Sequence, residues 1–263
     1  VSGTLSRTTP AVAGAGDRHE EDAVGKLDGK VVLITGGSRG IGKGIAQGMA
    51  AEGASVAVSA RPSEALTETE RELREAGATV LAVPADVSDE GQVAALFAAV
   101  MERFGRLDVL VNNAGAFDGG ALDSLSLDAW NKVIAVNLTG PFLCTRSAFK
   151  IMKAQGGGRI INVSSISAQR VRPNSAPYSA SKHGVWGLTQ VTALEGRDHN
   201  IAASCLYPGN TRVERSSRTT SAEPNMSVAE LAQAAVWMAL LPPHVTMLEA
   251  TVLPIKQAFI GRG

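Results

Sequence analysis

The 263-residue sequence carries no net charge, with 25 Lys and Arg against 25 Asp and Glu. Without an excess of positive charge there is no electrostatic footprint for nucleic acid or for an anionic membrane surface. No apolar run approaches the roughly 18 residues that a membrane-spanning helix needs. The first residues lack the apolar core of a secretory signal. The expectation is therefore a cytoplasmic protein with neither nucleic acid nor membrane as a partner. There are only two cysteines, Cys144 and Cys205. They lie far apart in apolar surroundings and read as buried, reduced thiols. The histidines His19, His183, His199 and His244 have no metal-ligand spacing, and no metal is expected.

What the chain has is apolar residue in quantity, 44% of the total, enough for the core of one α/β domain of this length. Residues 1–26 show no sustained period and are rich in Gly, Ala, Thr and charge, so they read as a flexible tail. Residues 27–263 read as one domain. From Lys30 onward, short apolar runs alternate with helical patterns. "KVVLIT", "ASVAVSA", "TVLAVPA", "RLDVLVNN", "GRIINVSS", "IAASCLYP" and "TMLEATVLP" read as seven strands, rich in Val, Ile and Leu as strands buried on both faces are. Helix patterns lie near 41–52, 63–76, 89–104, 127–153, 177–198 and 227–240. This alternation predicts a parallel, doubly wound sheet with helices on both faces. The stretch 212–226 has no clear period and reads as a lid. Ligands of such folds bind outside the carboxyl ends of the strands, which makes the residues after each strand the candidates.

The first such turn is "TGGSRGIG", Thr35 to Gly42, between a strand and a helix. Gly36, Gly40 and Gly42 allow unusual backbone conformations. They also let a pyrophosphate reach the helix N-terminus, where N–H groups and the helix dipole favour anions. In a dinucleotide fold an acidic residue about 20 positions on would bond the ribose 2′-hydroxyl. Here the second strand ends in "SARP", with Ala60 in the acid's place and Arg61 after it. A guanidinium can hold a 2′-phosphate that a carboxylate would repel, and Arg39 adds a second cation. The expected cofactor is NADP(H), with NAD(H) possible.

Two further features concern chemistry. Tyr178 and Lys182, in "YSASK", stand one helical turn apart on one face. A nearby ammonium favours phenolate over phenol, and the small residues between them leave room for a ligand. If 127–153 is one helix, Pro141 lies inside it and offers no N–H to the carbonyl of Asn137, four residues earlier. That carbonyl is then free to hold a water.

Taken in order, "TGGSRGIG", "ADV" (Ala85–Val87), "NNAG" (Asn112–Gly115), Asn137, "SS" (Ser164–Ser165), "YSASK" (Tyr178–Lys182) and "PG" (Pro208–Gly209) resemble the short-chain dehydrogenase/reductase family from about Leu27 to Pro254. The resemblance implies a Rossmann-type seven-stranded parallel sheet, a homotetramer or homodimer, and reversible hydride transfer between an alcohol and a carbonyl compound on a nicotinamide cofactor. It implies catalytic roles for Asn137, Ser165, Tyr178 and Lys182. Tyr178 would be the acid in reduction and the base in oxidation, and Ser165 would bond the substrate oxygen. It also implies cofactor contacts from Gly36, Ser38, Arg39, Gly40, Ile41 and Gly42 in the first loop, and from Asp86, Val87, Asn113, Ala114 and Gly115. Tyr178, Lys182, Pro208 and Gly209 complete that set. The family often has threonine five residues after the proline of "PG". Here Val213 holds that position, and the nicotinamide contact is assigned to Thr211. The C-terminus is similar to that of NADP-dependent 3-hydroxy acid and serine dehydrogenases of the family. The reading is a reductase or dehydrogenase of a small alcohol, hydroxy acid or carbonyl compound. The alternative is a 3-oxoacyl-thioester (acyl-carrier-protein) reductase. A non-catalytic dinucleotide-binding scaffold is disfavoured because all four catalytic residue types are present. Specificity is expected from 166–176 and 212–226.

Overall fold

In the computed structural model, β1 (Val31–Thr35) is buried at every position, as its unbroken apolar run requires. The model describes residues 25–213 and 223–259. The expected tail, apart from its last two residues, and most of the expected 212–226 lid lie outside the described residues. After β1 come α1 (Gly40–Ala51), β2 (Ser55–Ala60), α2 (Glu64–Glu75), β3 (Val80–Pro84), α3 (Glu90–Phe104) and β4 (Val109–Asn112). Then follow α4 (Leu127–Ile134), α5 (Gly140–Gln155), β5 (Gly158–Val163), α6 (Ala176–Gly196), β6 (Ile201–Pro208), α7 (Val228–Leu240) and β7 (Glu249–Val252). All seven expected strands are present. They form one sheet in the order β3-β2-β1-β4-β5-β6-β7, with every neighbouring pair parallel.

The alternation of side chains along each strand divides the core in two. Val32, Ile34, Val56, Val58 and Val111 pack with Ile45, Leu66 and Leu231 of α1, α2 and α7. Their neighbours Val31, Leu33, Ala57 and Leu110 pack with Leu96, Val100 and Met152 of α3 and α5. Cys144 and Cys205 are buried free thiols, and burial pushes the Cys144 thiol up to about 12. The chain reverses its direction of winding between β1 and β4, so a crevice opens at the carboxyl ends of these strands, where such folds take their ligands.

The expected helix over 127–153 is present as one continuous helical run. It is not uniform: α4 and α5 are joined by a wide π-type turn, Ala135–Thr139, and the Gly140 N–H bonds to the Ala135 carbonyl. Pro141 follows this turn directly and lies inside the helical run, at the start of α5. The wide turn takes up the register change just before the proline. It also lies where such turns often occur, at a candidate functional site.

Away from the crevice, Arg159 at the start of β5 is 8% exposed. Its guanidinium donates to the main-chain carbonyls of Leu241, Pro242 and Val245, just past the C-terminal end of α7. A cation there holds the carbonyls of the turn that ends the helix and complements the helix dipole. Arg159→Met keeps the bulk but takes the buried donor from these carbonyls, of which only that of Pro242 keeps another partner, the Val245 N–H. It is expected to cost about 2–4 kcal/mol, which is roughly 5–15 °C in Tm. An unchanged Tm in thermal unfolding would remove the guanidinium from the account of how α7 is held.

Candidate active site

The turn from β1 into α1 is built by its neighbours as much as by its own glycines. Gly36 has φ +65° and Gly40 φ +54°, in the region that favours glycine. A Cβ on Gly36 would lie 2.8 Å from the Cα of Ala114, and one on Gly42 would collide with the Gly36 carbonyl and the Asn113 amide. The Asn113 amide donates to the carbonyls of Thr35 and Gly36. The Thr35 hydroxyl accepts from the N–H groups of Asn113 and Ala114. From α2, the buried Thr69 hydroxyl donates to the Ser38 carbonyl at 3.0 Å. Arg39 occupies the N-cap of α1 without a side-chain cap bond, and the first turn holds no carboxylate. This cradle, closed to side chains and facing a helix start, fits a dinucleotide's phosphates. Ser38, Gly40 and Ile41 all lie on it.

Arg61 is exposed directly after β2. Its charge reaches Asp86, after β3. The Ser88 hydroxyl chiefly holds the Asp86 carboxyl below the usual carboxylate range. Burial opposes this, while the Ser88 N–H and the charge of Arg61 add to it. Val87 is buried beside Asp86, and Ala114 and Gly115 line the end of β4.

Asn137, fully buried in the π-type turn, spends its side chain on the backbone after "NNAG". Its Oδ1 accepts from the Ala116 N–H at 2.7 Å, and its Nδ2 donates to the Ala116 carbonyl and to the Ser181 hydroxyl. Ser181 in turn donates to the Tyr178 carbonyl. Ala116, clamped in this way, delivers Phe117 to the Tyr178 ring, with centroids 5.3 Å apart.

The end of β5 is fastened to the same stretch of α6. The Ser164 hydroxyl donates to the Lys182 carbonyl at 3.0 Å, and the Lys182 ammonium donates to the Val163 carbonyl at 2.8 Å. Lys182 is 5% exposed, and its nitrogen lies 5.7 Å from the centroid of the Tyr178 ring. The Ser165 hydroxyl accepts from the Ser167 N–H as a short 3-10 turn begins. Asn137, Ser165, Tyr178 and Lys182 thus stand on three interlocked elements at one end of the sheet.

Past β6, Pro208 is buried and the Gly209 N–H donates to the Val252 carbonyl. The Thr211 hydroxyl donates to the Gly209 carbonyl at 3.1 Å. Val213 approaches Gly40 closely, so this turn reaches across to the glycine loop. Sequence reading missed Thr35, Thr69 and Ser181, which support the site through their hydroxyls. Their partners are distant in sequence, and no local pattern announces them.

A model of the short chain dehydrogenase family matches residues 30–224, so the C-terminal segment lies beyond the matched part. The chain is 38% identical over 208 residues to the 3-oxoacyl-[acyl-carrier-protein] reductase of Synechocystis, covering 79% of this chain and 84% of that one. Its fold is similar to that of a variant of actinorhodin polyketide ketoreductase solved with NADPH, with TM-score 0.79 and 34% identity over 85% of this chain and 95% of that one. It is also similar to a metagenomic short-chain oxidoreductase solved with NADP, with TM-score 0.78 and 35% identity over 87% and 98%.

Proposed function

This chain belongs to the short-chain dehydrogenase family and is an oxidoreductase acting between alcohol and carbonyl groups, and we propose that it uses NADP(H) to reduce a small carbonyl compound or oxidise the matching secondary alcohol or hydroxy acid. The observation that carries this reading is the fastening of Tyr178 and Lys182 to Asn137 and to the end of β5, at the crevice where the glycine cradle opens. Arg61, in place of an acid after β2, supports NADP(H) over NAD(H). The relatives solved with NADPH and NADP point the same way.

When bound, the nicotinamide supplies or receives the hydride. Tyr178 gives its hydroxyl proton to the substrate oxygen on reduction and takes it back on oxidation. Ser165 donates a hydrogen bond to that oxygen as charge develops. Lys182 brings a positive charge close to the phenol and refills its proton. The Asn137 carbonyl, to which Pro141 offers no N–H, holds the water through which that proton arrives. Asp86, Val87, Asn113, Ala114 and Gly115 border the adenosine half, and Pro208, Gly209 and Thr211 the nicotinamide half.

Reduction of a 3-oxoacyl thioester is the second reading, favoured by the likeness to the Synechocystis reductase. Exposed Phe142, Val191 and Leu194 on α5 and α6, with Trp237 on α7, suit burial between copies in a cytoplasmic dimer or tetramer. A panel of ketones, aldehydes and 3-oxo esters with NADPH, followed at the nicotinamide absorbance, tests the proposal. At least one class is expected to consume NADPH steadily. Turnover with NADH alone would overturn the cofactor assignment.

A further inference from the structure

Strand β7 and the segment after it are joined to the candidate site at three places. The Thr251 hydroxyl and the Gln169 amide exchange hydrogen bonds at 3.2 and 3.3 Å. The Arg170 guanidinium lies over the Phe259 ring, 5.5 Å from its centroid. Gln169 and Arg170 belong to the loop that leads from Ser165 to Tyr178. The third contact touches the turn after β6: Gln257 Oε1 accepts the Asn210 N–H at 2.8 Å. Gln257 is itself held by its N–H, which donates to the Pro254 carbonyl.

These contacts give Gly209 a physical reason to be glycine. A Cβ there would collide with Gln257 Oε1 and lie 2.7 Å from Leu253 Cδ2. The turn is pressed against the C-terminal segment on this side. On its other side, Asn210 accepts from the Met226 N–H and Arg212 donates to the Met226 carbonyl. Gln257 holds the main chain of the turn as it leaves β6, and Glu223 holds the Asn210 side chain, whose Nδ2 donates to Glu223 Oε2 at 2.8 Å. That turn then passes Thr211 and brings Val213 against the glycine loop at Gly40.

We propose that Gln257 is a positioning residue that sets the Gly209–Thr211 turn for the nicotinamide half of the cofactor, while the adenosine half is held without it. The proposal rests on the NADP(H) reading above. It needs only an acceptor at position 257, because the donor is a backbone N–H. Gln257→Glu keeps that acceptor, and Gln257→Leu removes it at similar bulk.

The test compares two ligands, NADPH and its nicotinamide-free fragment, 2′-phosphoadenosine diphosphoribose, by calorimetric titration. In Gln257→Leu, NADPH is expected to bind about fivefold to tenfold more weakly, the scale set by one lost hydrogen bond. The fragment should bind as it does to the parent, and Gln257→Glu should bind NADPH within twofold of the parent. Equal weakening for both ligands would show a merely structural role and overturn the proposal. No weakening, or a Glu variant as poor as the Leu variant, would also overturn it. A parent that binds neither ligand would instead defeat the NADP(H) reading. Amide exchange keeps the proposal open to refutation if the Leu variant fails to fold. The Asn210 N–H should exchange slowly in the nucleotide-free parent and in Gln257→Glu, and exchange at the open-chain rate would overturn the proposal.

Discussion

Tyr178→Phe is expected to lose turnover by about 10²–10⁴-fold, the range general acid–base catalysis supplies, while binding NADPH within about twofold of the parent. The substitution deletes one hydroxyl and little else. The ring contact with Phe117, at 5.3 Å, is a contact of ring carbons and survives. So does the bond from the Ser181 hydroxyl to the Tyr178 carbonyl, which belongs to the main chain. Lys182 keeps its bond to the Val163 carbonyl, so the end of β5 stays fastened to α6. The proposed phosphate site is the cradle between Gly36 and Gly42, on the far side of β4. Steady-state kcat and a separate NADPH titration divide the two effects. A variant that retained more than about a tenth of parental turnover would fall outside the range expected for loss of the acid, and the phenol would leave the mechanism.

Arg61→Asp is expected to reverse cofactor preference. Removing a charge-assisted contact to a 2′-phosphate costs about 1.5–3 kcal/mol, or roughly 10- to 100-fold in kcat/KM for NADPH. The carboxylate adds repulsion to the phosphate and offers the ribose hydroxyls of NADH an acceptor. The ratio of kcat/KM values, NADPH over NADH, should therefore fall by about 10²–10³-fold. Arg61→Ala is the control and should lower NADPH use without improving NADH use. Asp86 is the nearby charge to consider. Its carboxyl is held low chiefly by the Ser88 hydroxyl, with Arg61 the smallest contributor, so it should remain ionised after either substitution. If NADPH efficiency were unchanged in Arg61→Ala, the 2′-phosphate would have to lie elsewhere.

The sheet was legible because its signal is local. β1, β4 and β5 are buried on both faces, so their apolar runs are continuous, and the helical patterns between them leave little choice of topology. The glycine loop and the pair Tyr178–Lys182 were legible for the same reason, since each fits within one turn or one helix. The supports were not legible. Thr69 holds Ser38 across 31 residues, Asn137 reaches Ser181 across 44, and Gln257 reaches Asn210 across 47. No period or spacing marks a residue whose partner is chosen by the folded chain. The π-type turn at Ala135–Thr139 belongs to this group. Pro141 marked a local irregularity, but the clamp of Asn137 on Ala116 is an interaction between distant segments. The substrate walls stay unread for a related reason. The loop expected to carry specificity, 166–176, is held by Thr251 and Phe259, which arrive from the far end of the chain.

Hydride transfer between the nicotinamide and a carbonyl carbon, with Tyr178 moving the proton, is the proposed reaction of this site. The direct measurement uses NADPH carrying deuterium at both C4 positions of the nicotinamide, with a carbonyl compound that the parent reduces, and mass spectrometry of the alcohol formed. The account predicts one deuterium per product molecule, on the carbinol carbon, with the hydroxyl proton drawn from solvent. It predicts almost no labelled product in the same time from Tyr178→Phe at saturating NADPH. Alcohol formed without the label, or labelled alcohol formed as fast by the phenylalanine variant, would contradict it.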